Sequence, residues 1–591
     1  MQGGGTRIER DAVDLHHALG HDHTTSPGPR FQTCGFARPA PGRGGLTLLE
    51  PSDHSHRHTH PRGVASMASD VGLGGRTAFA TVAASLMFAL PLASAADRER
   101  VIVAFKTGSA ATVRAEALRQ GGRIHVDLTD LDAFAVTLPK VAIARLASHP
   151  AVEYVEADPV RTIQGARARR ADPAVTPAVT AGVQTVPYGI TLTQSDQVTG
   201  TPVWTPRICI VDSGIFAGHE DLAGNVMSGK NHTRSGTWDS DENTHGTHVA
   251  GTIAALDNTL GVVGVNGNKQ VSLYIAKVFD AAGSASSSTI SSAISGCTRA
   301  RANVISMSLG GSSATRTERR AVDAAHAKGI LLVAAAGNGG NTAISYPAGF
   351  ANVMSVAAVD AGKNWASFSQ FNADVEIAAP GVAVESTIPP NIESRASASV
   401  GSTAYTVQAM AGSPRLSATG PLADFGFGDA PSAGSMAGKV CLISRGNISF
   451  ADKVLNCQNS GGIGAIVYNN IAGDLFGTLG TTVTTIPSVG ALQADGTTML
   501  TQLGQSATVT VEADPSLYAS FNGTSMATPH VSGIAALVWS YYPSCTAEQI
   551  RTSLKLSAQD IGDPGRDDKT GAGLVQARAA FDRIASQGCG N

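Results

Sequence analysis

Three short runs of the sequence carry side chains able to do nucleophilic chemistry. Ile208-Cys-Ile-Val-Asp212-Ser213-Gly214 ends an apolar stretch in a carboxylate. His245-Gly246-Thr247-His248-Val249-Ala250-Gly251 opens a helical pattern with an imidazole, and Gly523-Thr524-Ser525-Met526-Ala527-Thr528-Pro529-His530 puts a serine at a helix start. Unpaired backbone N–H groups gather at a helix start and favour negative charge. A serine placed there can attack a carbonyl if an imidazole takes its proton and a carboxylate fixes the imidazole's tautomer. Ser525, His245 and Asp212 supply those three roles. Asn338, which closes Val333-Ala-Ala-Ala-Gly337-Asn338, can donate its amide together with the Ser525 N–H to a tetrahedral oxyanion. Each run has an ordinary structural reading when taken alone, as a turn, a packing histidine or an N-cap serine. Their joint occurrence in the order Asp, His, Asn, Ser points to catalysis. His248 and His530 stay outside this set and are read as packed, hydrogen-bonded structural residues.

Such groups need a rigid scaffold, and the surrounding pattern provides one. Continuous Val/Ile/Ala runs at Arg207 to Val211, Val271 to Phe279, Val304 to Leu309, Ile330 to Ala336 and Val353 to Val359 alternate with helical stretches at Ser286 to Ala302 and Thr317 to Lys328. Buried apolar strands separated by helices indicate an α/β domain, a parallel sheet with helices on both faces. A catalytic carboxylate at the end of such a strand lies where open α/β sheets place their ligand crevice. Upstream, Arg98 to Pro159 reads β-α-β-β-α-β, a split βαβ unit of the ferredoxin-like α+β kind. Ala157 to Val183 lacks hydrophobic periodicity, carries Arg167-Ala168-Arg169-Arg170, and reads as an exposed, cleavable linker. Alternation of strand and helix stops after Thr387, and Gly/Ser/Thr-rich sequence with short β-like runs continues until helical patterning returns at Thr524 to Tyr541. An inserted β-rich domain is the simplest account, and it explains why His245 and Ser525 lie so far apart for one α/β domain.

The chain has 591 residues, only 15% of them charged, with a formal net charge of −3. That balance offers no basic field, which excludes nucleic acid as a partner. The apolar run Thr77 to Ala93 follows Met67 and Arg76, is interrupted by Pro91 and ends in Ala93-Ser94-Ala95, the pattern of a signal peptidase site. The expected product is a secreted protein with no membrane span in its mature form. Residues 1–66 read as a non-native or disordered extension, with translation starting at Met67. The alternating His54, His56, His58 and His60 in that extension are not assigned a metal. Of seven cysteines, Cys34 lies in the discarded region, and the remaining six suit disulfides in an exported protein. Six cysteines leave the connectivity open. Locality ranks Cys441 with Cys457 first, then Cys545 with Cys589, which leaves Cys209 with Cys297.

The motifs HGTHVAG and GTSMATPH, with the order Asp, His, Ser, resemble those of the subtilisin-like serine proteases over roughly Gln184 to Pro390 and Leu517 to Ala585. Arg98 to Pro159 resembles the inhibitory propeptide of that family. Gly438-Lys-Val-Cys-Leu-Ile-Ser-Arg-Gly446 through Gly461 to Asn469 resembles a protease-associated (PA) domain. The resemblance implies a signal peptide at 67–95, a propeptide at 96–160, a linker at 161–183, a catalytic domain at 184–390 and 517–591, and a PA-like domain at 391–516. It implies a secreted endopeptidase made as a zymogen, acting on proteins and peptides through an acyl-enzyme, inhibited by its own propeptide and needing no cofactor for catalysis. Substrate would lie as an extended strand beside Ser308, Leu309 and Gly310. A pocket lined by Ala335, Ala336 and Gly337, with no carboxylate, would give broad specificity, with large apolar or aromatic residues before the scissile bond. The propeptide cut is expected at Arg167 to Arg170 or close to Gln184. A structural calcium is implied at Gln184, Asp221 and Asn258 by side chain and at Leu256, Leu260 and Val262 by backbone. The competing reading is a catalytically silent, adhesin-like protein that binds through the inserted domain. A zinc aminopeptidase is disfavoured because the chain has no His-Glu-x-x-His.

Overall fold

A computed structural model describes residues 97–167 and 183–590, apart from 393, 447, 473, 474, 476 and 481. The signal-peptide reading, the N-terminal histidines and Ala168 to Arg170 lie outside the described residues. The central sheet has seven strands, all parallel, in the order Val375–Pro380, Val353–Val359, Leu331–Ala335, Val304–Met307, Arg207–Asp212, Ser272–Lys277 and Met227–Asn231. Successive strand residues face opposite sides. Ile208 and Ile210 therefore pack with the helices His245–Ala254, Thr524–Tyr541, Ala547–Leu556 and Ala577–Gln587. Cys209 and Val211 pack with Ser287–Arg299 and Arg316–His326 on the other face. Both faces are covered, which is why the strands read as unbroken apolar runs rather than as alternation.

Residues Arg98–Ala157 form a four-stranded antiparallel sheet in the order Arg123–Leu128, Ala133–Pro139, Arg98–Phe105, Val152–Ala157, with helices Ala110–Arg119 and Lys140–Ala147. Val101, Val103 and Phe105 pack under these helices with Val113, Ala117 and Leu146. Ile102 and Ala104 point the other way and join the cluster that holds Ala293, Ile294, Ala321 and Val322. One face of this sheet is therefore buried against two helices of the main domain. Glu156 accepts from the Arg316 and Thr317 N–H groups and Asp158 from the Ser288 N–H, so carboxylates cap both of those helices.

The inserted region begins after Val384–Thr387 and ends before Tyr518–Asn522, two strands paired antiparallel so that entry and exit are adjacent. Its eight-stranded mixed sheet spans Ser394–Val400 to Ser506–Ala513. Helices Phe450–Asn459 and Gln493–Leu500 accompany the sheet, so the region is β-rich but not all-β. Disulfides join Cys209 to Cys297, Cys441 to Cys457 and Cys545 to Cys589.

The segment read as a linker departs from that reading. Val160–Ile163 is a strand held between Ser284–Ser286 and Leu309–Gly310, and Ala166–Arg167 pairs with Tyr518–Asn522. Short polar strands of this kind lack periodicity because their partners, not their own alternation, hold them.

Candidate active site

Asp212 ends its strand completely buried, and the following turn is set by Gly214 at φ 107°. The helix that begins at His245 can approach this turn only because residue 246 is glycine: a Cβ there would sit 2.2 Å from the Gly214 carbonyl. His245 Nδ1 lies 2.8 Å from Asp212 Oδ1. A carboxylate can only accept here, so Nδ1 carries the proton and Nε2 is the basic nitrogen. Nε2 is buried and has no hydrogen-bond partner among the described residues. Asp241, also buried, accepts from the Asn243, Thr244 and Thr247 N–H groups and from the Ser213 hydroxyl, locking the loop before the helix.

Ser525 stands in the first turn of Thr524–Tyr541, a helix buried through Ser540. Pro529 has no N–H to give to the Ser525 carbonyl four residues earlier, and the Ser308 hydroxyl donates to that carbonyl instead at 2.8 Å. In return the Ser525 hydroxyl donates to the Ser308 carbonyl at 2.9 Å. The bond expected between Ser525 and His245 is thus not made in this arrangement.

The remaining donors converge on residues 160–165, the tail that follows the Arg98–Ala157 unit. The Gln164 carbonyl accepts from Asn338 Nδ2 at 2.6 Å and from the Ser525 N–H at 3.1 Å. Asn338 Oδ1 in turn accepts from the Thr524 N–H at 2.9 Å and hydroxyl at 2.8 Å, which orients the amide with its NH2 toward the tail. Gly523 leaves room for this carbonyl, since a Cβ there would lie 2.3 Å from it. On the other side of the bond, a Cβ on Gly165 would be 3.0 Å from His245 Nε2. Leu309 pairs with Ile163 and Gly310 with Thr162, and the Gln164 N–H reaches the Ser308 carbonyl at 3.4 Å. Ala335 and Ala336 are buried beside Gly337, and Gln164 Nε2 lies 3.4 Å from the Gly310 carbonyl. One peptide bond, Gln164–Gly165, is thereby placed between two N–H donors and an imidazole.

The subtilase family profile matches residues 205–418 and 462–573, and the PA domain profile matches 417–499. Subtilisin DY from Bacillus licheniformis is 48% identical over 214 residues, 35% of this chain and 77% of that protein. Alkaline elastase YaB from Bacillus sp. (strain YaB) is 30% identical over 515 residues, 84% of this chain and 95% of the relative. The chain belongs to the subtilase family. Among solved structures, fervidolysin from Fervidobacterium pennivorans is 22% identical with a TM-score of 0.52, covering 82% of this chain and 61% of that one, a likeness of fold. As a subtilase with a PA domain, this protein is a serine endopeptidase.

Two other groups of residues named in the sequence have partners of their own. His248 Nε2 is 3.0 Å from both the Val384 and Ala519 carbonyls and its ring stacks on Phe521. His530 Nδ1 is 2.8 Å from the Met526 carbonyl. Burial pushes their pKa values down to about 3 and about 4, so both are neutral packing residues at ordinary pH. At the loop, Asp221 is buried, accepting from Asn258 Nδ2 and from the Val262 N–H, each at 2.8 Å. Gln184 Nε2 donates to the Leu256 carbonyl at 2.8 Å and the Leu260 N–H to Asn258 Oδ1 at 2.6 Å. Gly261, at φ 52°, is obligatory, because a Cβ would fall 2.2 Å from Asp221 Oδ2. Among the described residues no group of three or more His, Cys, Asp or Glu gathers as a metal site. Asp221 is the carboxylate these bonds centre on, and both amides present their NH2 groups, Asn258 to Asp221 and Gln184 to the Leu256 carbonyl.

The sequence gives Ser308 a place beside the substrate but no role for its hydroxyl, and it assigns no role to Thr524, Asp241 or Gly523. Thr524 and Gly523 stand inside the GTSMATPH run, whereas nothing local marks Asp241.

Proposed function

We propose that this subtilase is a secreted zymogen that cuts its own Gln164–Gly165 bond through Asp212, His245 and Ser525, and then cleaves other polypeptides in the same cleft. The observation that carries the reading is the Gln164 carbonyl receiving both the Asn338 amide and the Ser525 N–H. For attack, the Ser525 hydroxyl turns from the Ser308 carbonyl toward His245 Nε2 and gives it the proton as Oγ bonds the Gln164 carbonyl carbon. Negative charge collects on the carbonyl oxygen, where the two N–H donors already point. The C–N bond to Gly165 breaks as His245 returns the proton to the departing amine, and water then releases Gln164 from the serine. Residues Ala96 to Gln164 leave as the propeptide, a unit longer than the 96–160 read from sequence. Their two capping carboxylates and the buried sheet face keep the fragment docked as an inhibitor. No described helix is long and apolar enough to cross a membrane.

For foreign substrates the cleft reads the backbone through Leu309–Gly310 and Ser284–Ser286. Ala335, Ala336 and Gly337 set an apolar wall for the residue before the bond, suiting large apolar or aromatic side chains. Gln164 is tolerated there because its amide reaches the Gly310 carbonyl.

A calcium ion fits the loop. Asp221, Asn258 and Gln184 would hold it by side-chain oxygen, with the Asn258 amide giving up its present bonds to Asp221 and to the Leu260 N–H. Leu256, Leu260 and Val262 would add carbonyls, an all-oxygen set with one carboxylate of the kind calcium takes.

The test of the reading is labelling with a serine-directed fluorophosphonate after propeptide release. The adduct is expected on Ser525. A label elsewhere, or none on an enzyme that still cleaves protein, would overturn it, and a chain that neither takes the label nor cleaves protein would favour the binding-protein alternative.

A further inference from the structure

The tail carries one charged side chain that the cleavage chemistry does not use. Arg161 is the fourth residue before the Gln164–Gly165 bond, and although it lies on a cleft strand its exposure is 0%. Its Nε donates to Glu318 Oε1 at 3.1 Å and one Nη to Glu318 Oε2, a two-pronged pair with a carboxylate that is itself 0% exposed. The same Nη reaches the Ser313 carbonyl at 2.7 Å, and the other Nη the Val160 carbonyl at 3.3 Å. Gly311 shapes the entrance: a Cβ there would lie 3.0 Å from Arg161 Nη1 and 2.6 Å from the Val160 carbonyl. All of this pocket except Val160 belongs to the part of the chain that stays after cleavage.

Glu318 is in the first turn of Arg316–His326, with its own N–H accepted by the capping Thr315 hydroxyl. Burial pushes its carboxyl pKa up, and the Arg161 guanidinium pulls in the opposite direction. Among the described residues, Arg161 is the cation that pairs with it. When the tail departs, Glu318 loses that partner at an open strand position. A docking strand buries the carboxylate again, and an arginine there restores the pair whereas an uncharged side chain leaves a buried acid unpaired. The planar guanidinium matches two carboxylate oxygens at once, whereas the lysine ammonium offers a single point charge. Register fixes which substrate residue meets it, since Thr162 opposite Gly310 places residue 161 at Glu318.

We propose that Glu318, with the Ser313 carbonyl and the opening at Gly311, forms an arginine-selective subsite for the fourth residue before the scissile bond. The enzyme then prefers peptides of the form Arg-x-x-Gln or Arg-x-x-(apolar), with selectivity drawn from a position remote from the reacting atoms. This inference rests on the cleft reading above, in which substrate follows the tail's register.

The experiment compares three peptides that differ only at that position, carrying Arg, Lys or norleucine ahead of Thr-Ile-Gln-Gly, with the wild-type enzyme after propeptide release. Arg is expected to exceed norleucine by on the order of 10² in kcat/KM, with Lys between them. In Glu318→Gln the Arg-to-norleucine ratio is expected to fall toward one. Equal cleavage of the Arg and norleucine peptides by the wild-type enzyme would overturn the subsite, whether or not the variant folds. If none of the peptides is cut at Gln-Gly while other proteins are degraded, the register of the cleft reading fails instead. The two failures are therefore distinguishable.

Discussion

The cleft and the Asp221 loop are both built from buried polar groups, yet they satisfy them in opposite ways. In the loop, Asp221, Asn258, Gln184 and the Leu256, Leu260 and Val262 backbone bond one another, all within the main domain. In the cleft, Asn338 Nδ2 and the Ser525 N–H bond the Gln164 carbonyl of the tail, and Glu318 pairs with Arg161 of the same tail. Departure of the tail opens these groups to water, and a replacement strand that buries them again must supply the same bonds. The difference separates a site made to exchange its occupant from one made to hold its shape.

The largest expected effect breaks the cleft directly. Ser525→Ala should lower turnover by on the order of 10⁶, a magnitude taken from measurements on a subtilisin, itself a member of this family. Initial rates on a peptide substrate check it, and retained peptidase activity would remove Ser525 from the nucleophile's role. Asn338→Ala, assayed in the same way, should lose on the order of 10² to 10³ in kcat, again a magnitude known from a subtilisin. An unchanged kcat would show that the Asn338 bond to Gln164 is only structural.

The loop is sharpened by metal rather than by turnover. At a thousandfold excess of calcium over its Kd, bound metal should stabilise the native enzyme by about 4 kcal/mol. Thermal unfolding of the inhibited enzyme in calcium and in chelator reads this as a higher midpoint with calcium. An unchanged midpoint, with Asp221→Asn equally indifferent to calcium, would leave the loop as an ordinary turn.

A further effect comes from the packing histidines. His248 and His530 have folded pKa values of about 3 and about 4, below the ordinary histidine value near 6.5. Between those limits the unfolded chain binds protons that the folded chain refuses, so stability is full above about pH 6.5 and falls as pH drops toward 4. Denaturant midpoints across that range should decline, and more gently in a His530→Gln variant. A midpoint flat from pH 7 to 4 would contradict the neutral, buried assignment.

Much of this was legible locally. Asp212, His245, Asn338 and Ser525 each stand in a run whose glycines and strand or helix end reveal their position, and the Thr524 to Tyr541 helix was placed on its observed bounds. The parallel sheet was readable because its strands are buried on both faces. Illegible features depend on distant partners. The Val160–Ile163 strand looks like linker because Arg161 becomes a core residue only through Glu318, 157 positions away. Thr524 looks like helix-start filler until Asn338 is beside it. Helices Phe450–Asn459 and Gln493–Leu500 were obscured by the Gly/Ser/Thr composition around them.

The central claim is that the cleft holds its own bond to cut, and the C-terminus of the released fragment tests it most directly. The purified precursor, sampled early and analysed by intact mass spectrometry, should yield a propeptide ending at Gln164, and the Ser525→Ala chain should yield none. A fragment ending at Arg167 to Arg170 or near Gln184, or release from the Ser525→Ala chain, would contradict the account.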